Sequence, residues 1–264
     1  MAQDHRVATP RGEVFARSWT PEGASPESPA LLLFHDSLGS VALWRDFPEA
    51  LARATGLRTL AWDRPGFGAS EARRDLPQPD FVARETREIL PALFSGLEIG
   101  GFVAFGHSVG GGMAVEAGAA FPEACAAVTT ESAQAFVEPR TLEGVRAARA
   151  QFARPGEMGR LERHHGDKAR WVLEAWTETW LAPDFADWSL DAALGRLTAP
   201  LLALHGDQDE YGSLAHPERL TRLTRGPQEM RILAGCGHVP HRERPEEVLK
   251  AVAEFLRRHE IARA

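Results

Sequence analysis

Short runs of almost wholly apolar residues recur along this chain, and helical repeats fall between them. Residues Ala30–Phe34, Thr59–Trp62 and 102–105 read as strands buried on both faces, because hardly any polar position interrupts them. Further strands are predicted at 14–19, 124–130, 200–204 and 229–233. Phe47, Leu51 and Ala54 share one side of a helix predicted over 44–54, which Gly56 stops. Other helices are predicted over 81–94 (with Asp80 as N-cap), 111–121, 217–223 and 245–259. Strand and helix alternate, with crossovers long enough for parallel pairing. The fold class is therefore α/β: a doubly wound, mostly parallel sheet with helices on both faces.

The alternation breaks after Thr130. Residues 131–197 read as helices and loops without a strand, and they hold four of the seven tryptophans: Trp171, Trp176, Trp180 and Trp188. We read this stretch as a helical lid inserted into the α/β core, which comprises residues 1–130 and 198–264. The lid tryptophans Trp171, Trp176 and Trp180, with Phe136, are expected to wall an apolar substrate pocket. Trp176 also falls at helical spacing with Val172, Ala175 and Thr179, so part of this set anchors the lid to the core.

A chain of 264 residues suits one large domain carrying an insertion. Its net charge of -7 argues against nucleic acid or an anionic membrane as the main partner. No apolar stretch reaches the roughly 20 residues of a membrane span. The polar N-terminal dozen residues carry no secretory signal. A cytoplasmic protein, monomeric or homodimeric, is expected. Cys125 and Cys236 are too few for a disulfide framework and read as buried thiols.

Chemistry enters at Gly106-His107-Ser108-Val109-Gly110, which follows the strand at 102–105 and opens a helix. A strand, a sharp turn and a helix present the serine hydroxyl above the sheet in a strained conformation. A serine hydroxyl needs a neutral imidazole to take its proton, and that imidazole needs a carboxylate to fix its tautomer. In an open α/β sheet these partners sit on loops at the carboxyl ends of strands. His205-Gly206-Asp207-Gln208-Asp209 follows one strand and Gly235-Cys236-Gly237-His238 the next. Asp207 and Asp209 compete as the acid, and His238 and His241 as the base. His107 reads as a packed or backbone-bonded histidine, and His164 and His165 as solvated. Residues 63–70 read as a structural loop. A phosphate loop is disfavoured, since no Lys-Ser or Lys-Thr follows the glycines. The histidines and aspartates match no known metal spacing, so neither metal nor cofactor is expected.

The order Ser, Asp, His, together with the glycine-flanked serine, resembles the alpha/beta-hydrolase superfamily, in its small, lidded, bacterial serine esterase-like form. The lid is similar to those of biphenyl-hydrolase-like esterases. The resemblance covers His35 to the last helix and implies Asp209 as the acid and His238 as the base. It implies oxyanion-hole donors at the backbone N–H groups of Val109 and Ser37. Where relatives carry His-Gly-x, this chain has His35-Asp36-Ser37; Asp36 is expected to point away and tie down its loop. The resemblance implies a carboxylic ester hydrolase acting on a small-molecule ester or lactone. The apolar Val109 disfavours aminoacyl substrates. Carbon–carbon bond hydrolysis (with Arg170 as a carboxylate contact), perhydrolysis, and a ligand-binding protein of negligible turnover are the alternatives.

Overall fold

The computed structural model describes residues 2–262. Eight strands form one sheet: β1 (Ala2–Thr9), β2 (Gly12–Trp19), β3 (Ala30–Phe34), β4 (Thr59–Trp62), β5 (Phe102–His107), β6 (Cys125–Glu131), β7 (Leu201–Gly206) and β8 (Gln228–Leu233). Their order is β1-β2-β4-β3-β5-β6-β7-β8. The pairings β1–β2 and β2–β4 are antiparallel, and the rest are parallel. The central strands β3, β4, β5 and β7 are buried at every position, as their unbroken apolar runs require. β1 was not expected from the sequence. It is an edge strand in which only Val7 is buried, so it carries no hydrophobic signature and is held by pairing to β2.

The principal helices are α1 (Phe47–Thr55), α2 (Phe81–Gly96), α3 (Val109–Ala120), α4 (Pro139–Phe152), α5 (Gly159–His165), α6 (Ala169–Trp180), α7 (Asp191–Leu194), α8 (Ala215–Leu223), α9 (Pro240–Glu243) and α10 (Pro245–Arg258). One core joins the sheet to α2, α3 and α8, and the other joins it to α1 and α10. The helix expected over 44–54 is broken: Val41–Trp44 forms a 3₁₀ turn, and α1 begins only at Phe47. Asp80 precedes α2 but makes no capping hydrogen bond through its side chain.

Between β6 and β7 the chain passes through α4–α7 with no strand of the sheet. An isolated bridge between Phe136 and Ser189 joins the two ends of this insertion. Helices α4 and α6 roof the carboxyl end of the sheet, whereas α7 packs into the core beside α3. Both cysteines are buried free thiols, and burial pushes each up to about 12. Among the described residues no helix is long and apolar enough to cross a membrane.

Candidate active site

Ser108 sits between β5 and α3 with φ 56° and ψ −127°, a conformation that costs a non-glycine residue about 1–3 kcal/mol. The turn holds because its neighbours lack side chains. A Cβ on Gly106 would lie 2.0 Å from the Gly110 carbonyl oxygen, and one on Gly110 would lie 2.1 Å from that of Phe34. The Ser108 N–H also donates to the Glu131 carbonyl, which fixes the turn to the end of β6.

The Ser108 hydroxyl lies 3.0 Å from His238 Nε2. His238 Nδ1 lies 2.9 Å from both carboxylate oxygens of Asp209. With Nδ1–H donated to the acid, Nε2 carries the lone pair that faces the serine. Asp209 also accepts from the N–H groups of Tyr211 (2.7 Å) and Gly212 (3.1 Å). Burial opposes its charge, but the hydrogen bond and charge of His238, the His205 charge and the Tyr211 N–H together outweigh that and hold the carboxyl below its ordinary range. Of the two acids and two bases that the sequence left open, Asp209 and His238 are the pair that meets Ser108. Asp207 accepts from the Gly235 N–H at 2.7 Å and is exposed. His241 pairs through Nδ1 with Glu131 at 2.6 Å, away from the serine.

A cavity of about 170 Å³ opens onto Ser108 and His238. Leu38, Val145, Trp176, Trp180 and Val239 supply its apolar wall. Ser37 lines it as well, and Val109 opens α3, whose first N–H groups have no carbonyl one turn back. Two expected pocket residues lie elsewhere. Phe136 packs against the His216 ring and beneath Arg219. Trp171 packs on Phe67, and its Nε1–H donates to the Asp75 carbonyl. Both sit at positions where the insertion fastens to the core. Trp180 lines the cavity and also packs on Phe185 and Trp188 within the insertion.

His165, expected in solvent, is buried. Its Nδ1 accepts from the Gly68 N–H and its Nε2–H donates to the Leu38 carbonyl. Asp36 does tie down its loop, accepting from the Leu38 N–H at 2.7 Å. It does not point away: it lines the cavity, with Oδ2 3.3 Å from His107 Nδ1. Asp63 accepts from the Val41 and Ala69 N–H groups, and Arg64 pairs with buried Glu85 at 2.8 Å, so this loop is a structural brace. Arg170 is exposed beside Glu174 and does not line the cavity.

Sequence reasoning missed Gln134 and Tyr211. Gln134 Oε1 lies 3.3 Å from the Ser108 hydroxyl, and the Tyr211 ring packs at a tilt against that of His238, with centroids 4.8 Å apart. Gln134 stands three residues beyond the carboxyl end of β6, where a binding residue is expected in such sheets. As potential metal donors, His107, Glu131 and His241 have ligand atoms within 4.8 Å of one another. The hydrogen bonds from His241 to Glu131 and from His107 to the His238 carbonyl already engage them.

The sequence model of the alpha/beta hydrolase family matches residues 31–251, which span the sheet from β3 onward and the insertion. The chain belongs to that family. As a family member it is 23% identical to a 2-(acetamidomethylene)succinate hydrolase of Mesorhizobium japonicum, over 86% of this chain and 88% of the relative. Its fold is similar to that of a membrane phospholipase A, a bacterial virulence factor, with a TM-score of 0.79 at 20% identity, covering 98% of this chain and 87% of the other. It is also similar to 2-hydroxy-6-oxo-6-phenylhexa-2,4-dienoate hydrolase from Rhodococcus sp. strain RHA1, with a TM-score of 0.75 at 23% identity, covering 97% and 100%. The family match makes the chain an alpha/beta hydrolase, and the structural likenesses agree with its fold.

Proposed function

We propose that this alpha/beta hydrolase cleaves small to medium neutral carboxylic esters or lactones through an acyl-enzyme on Ser108. His238 takes the serine proton as Oγ attacks the carbonyl, then returns it to the departing alkoxide. In the second half it takes a proton from water, which attacks the acyl carbon, and returns that proton to Ser108 Oγ as the acid leaves. Asp209 keeps the imidazole in the productive tautomer and steadies its cationic form. The backbone N–H groups of Val109 and Ser37 are the oxyanion donors in this reading, each worth about 3–4 kcal/mol to the transition state.

The observation that carries the proposal is the continuous relay of 3.0 Å and 2.9 Å contacts from Ser108 through His238 to Asp209. The neutral-ester preference rests on the cavity wall. Among the described residues no lysine or arginine lines it, whereas the Asp36 carboxylate does. A dienoate or dicarboxylate would find no unpaired cation there, because His107, the one basic group in the wall besides His238, already faces Asp36. This favours an ester over carbon–carbon cleavage of a carboxylate substrate. The 170 Å³ volume suits a short acyl chain.

The test is fluorophosphonate labelling with peptide mapping, alongside a panel of p-nitrophenyl esters of rising chain length. The expected result is modification of Ser108 and fastest turnover of short, uncharged acyl groups. Turnover confined to dienoates would transfer the assignment to carbon–carbon hydrolysis, and peracid formation from carboxylates with little ester cleavage would transfer it to perhydrolysis. Ligand binding without modification of Ser108 would mark a binding protein.

A further inference from the structure

We propose that His107 is a positioning residue. Doubly protonated between Asp36 and the main-chain carbonyl of His238, it ties the oxyanion loop to the loop that carries the base. The inference rests on the serine-hydrolase reading, which gives His238 its role.

His107 ends β5, immediately before the nucleophile, and is buried. Its Nε2 lies 2.8 Å from the His238 carbonyl oxygen. A carbonyl has no proton to offer, so Nε2 must donate. A neutral imidazole would then turn a bare Nδ1 lone pair toward Asp36 Oδ2 at 3.3 Å. Asp36 accepts from the Leu38 N–H through its other oxygen, as an ionised carboxylate does. A second ring proton on His107 resolves the conflict and makes the contact an ion pair.

The surroundings fit. Burial works against a charged imidazole, but Asp36, the Glu131 charge and the His238 carbonyl together outweigh it, and the His107 pKa is raised. Burial likewise opposes the Asp36 charge, yet His107 holds that carboxyl well below the usual range. The other groups around the pair are His35 on the same loop as Asp36, Glu131 at the end of β6, His238, and His241 with Arg242 on α9. His35 is occupied by the Asp36 carbonyl and the Arg64 N–H, and His241 by Glu131. Neither supplies the proton that Nδ1 needs.

The base loop is otherwise tied through Gly235 to Asp207, and through Gly237 and Val239 to Glu243. His107 adds the tie that is anchored on the nucleophile's own turn. One imidazole thus joins three loops, and Asp36 cancels its charge beside a base that must itself become cationic. When pH rises through the raised His107 pKa, the ring loses the proton facing Asp36 and the tie slackens. Activity should therefore show an alkaline decline as well as the acid decline caused by protonating the base.

The test uses the whole chain with ¹⁵N-labelled histidine. Long-range ¹⁵N–¹H spectra at pH 7 should show both His107 ring nitrogens protonated, with the assignment made by signal loss in His107→Gln. In Asp36→Asn only Nε2 should be protonated. Kinetically, His107→Ala and Asp36→Ala should lower kcat at least tenfold with KM changed less than threefold. Asp36→Asn, whose amide can donate to a neutral Nδ1, should retain more activity than Asp36→Ala and lose the alkaline decline. A singly protonated His107 in the wild-type protein at pH 7, or wild-type kcat in both alanine variants, would overturn the proposal. The spectrum decides even if a variant fails to fold. Failure to label Ser108 would remove the positioning role while leaving the protonation result standing.

Discussion

The Nε2–H of His165 donates to the carbonyl of Leu38 at 3.0 Å, so the roof is fastened to the loop that carries Asp36 and Ser37. The opposite ring nitrogen accepts from the Gly68 N–H at 2.9 Å, and Lys168 reaches the Gly68 carbonyl at 2.7 Å. Replacing His165 by alanine strips partners from two main-chain groups. We expect a stability loss of about 1–3 kcal/mol in urea unfolding, together with a lower kcat/KM on short esters. Wild-type values on both counts would refute the coupling of roof to loop.

Buried neutral histidines also set a pH dependence of stability. Burial, helped by the Arg64 charge, pushes His35 down to about 3, and burial lowers His165 as well. The unfolded chain takes up these protons near pH 6.5 and the folded chain only at lower pH. Between those values the unfolded state binds more protons, so stability falls as pH falls below about 6.5. By pH 5 the loss from His35 alone is roughly 2 kcal/mol. Urea melts at pH 7 and pH 5 should show it, and His35→Asn should shrink the difference. Equal stability at the two pH values would contradict the neutral assignment.

The geometry of the two aspartates predicts opposite outcomes for one substitution. Asp209→Asn should cost about 10⁴-fold in kcat, because the amide favours the wrong tautomer of His238. Asp207→Asn should stay near wild type, since Asp207 only holds the Gly235 N–H. Comparable losses in both variants would mean that the relay to Asp209 has been misread.

Ser108 occupies a backbone conformation that glycine adopts readily. Ser108→Gly should therefore abolish ester turnover while raising stability by about 1 kcal/mol. A thermal melt at or below that of the wild type would show that the turn stores no strain.

The two cavity tryptophans should separate. Trp176 is half-buried over the cavity, so Trp176→Ala should shift the preferred p-nitrophenyl ester toward longer acyl chains with little change in fold. Trp180 packs on Phe185 and Trp188, and Trp180→Ala should cost about 3–5 kcal/mol. An unchanged chain-length profile for the Trp176 variant would place substrate elsewhere.

Sequence made legible what depends on local pattern. The buried strands β3 and β4 stand where their apolar runs lie, and the serine turn announces itself by its glycines. β1 escaped because an exposed edge strand needs only a pairing partner, not an apolar face. Phe136 and Trp171 were expected in the pocket because aromatic residues in an insertion can face either way; only the packing against His216 and Phe67 decides. Asp36 and His107 each stood out in the sequence, but their meeting brings a loop against a strand end that α1, β4 and α2 separate along the chain. Buried His165 lay hidden among charged neighbours, since nothing in its flanks reveals that Leu38 and Gly68 approach it.

Gly110 has a further consequence. Because it has no side chain, α3 presses directly on the last residue of β3, from which residues 35–40 depart. The turn that holds Ser108 and the start of the loop that holds Ser37 are thus cast in one block. The insertion is bound to that block rather than free of it: Arg140 of α4 donates to the Asp209 carbonyl, and His165 of α5 to that of Leu38. A substitution overhead is therefore felt in the loops beneath it.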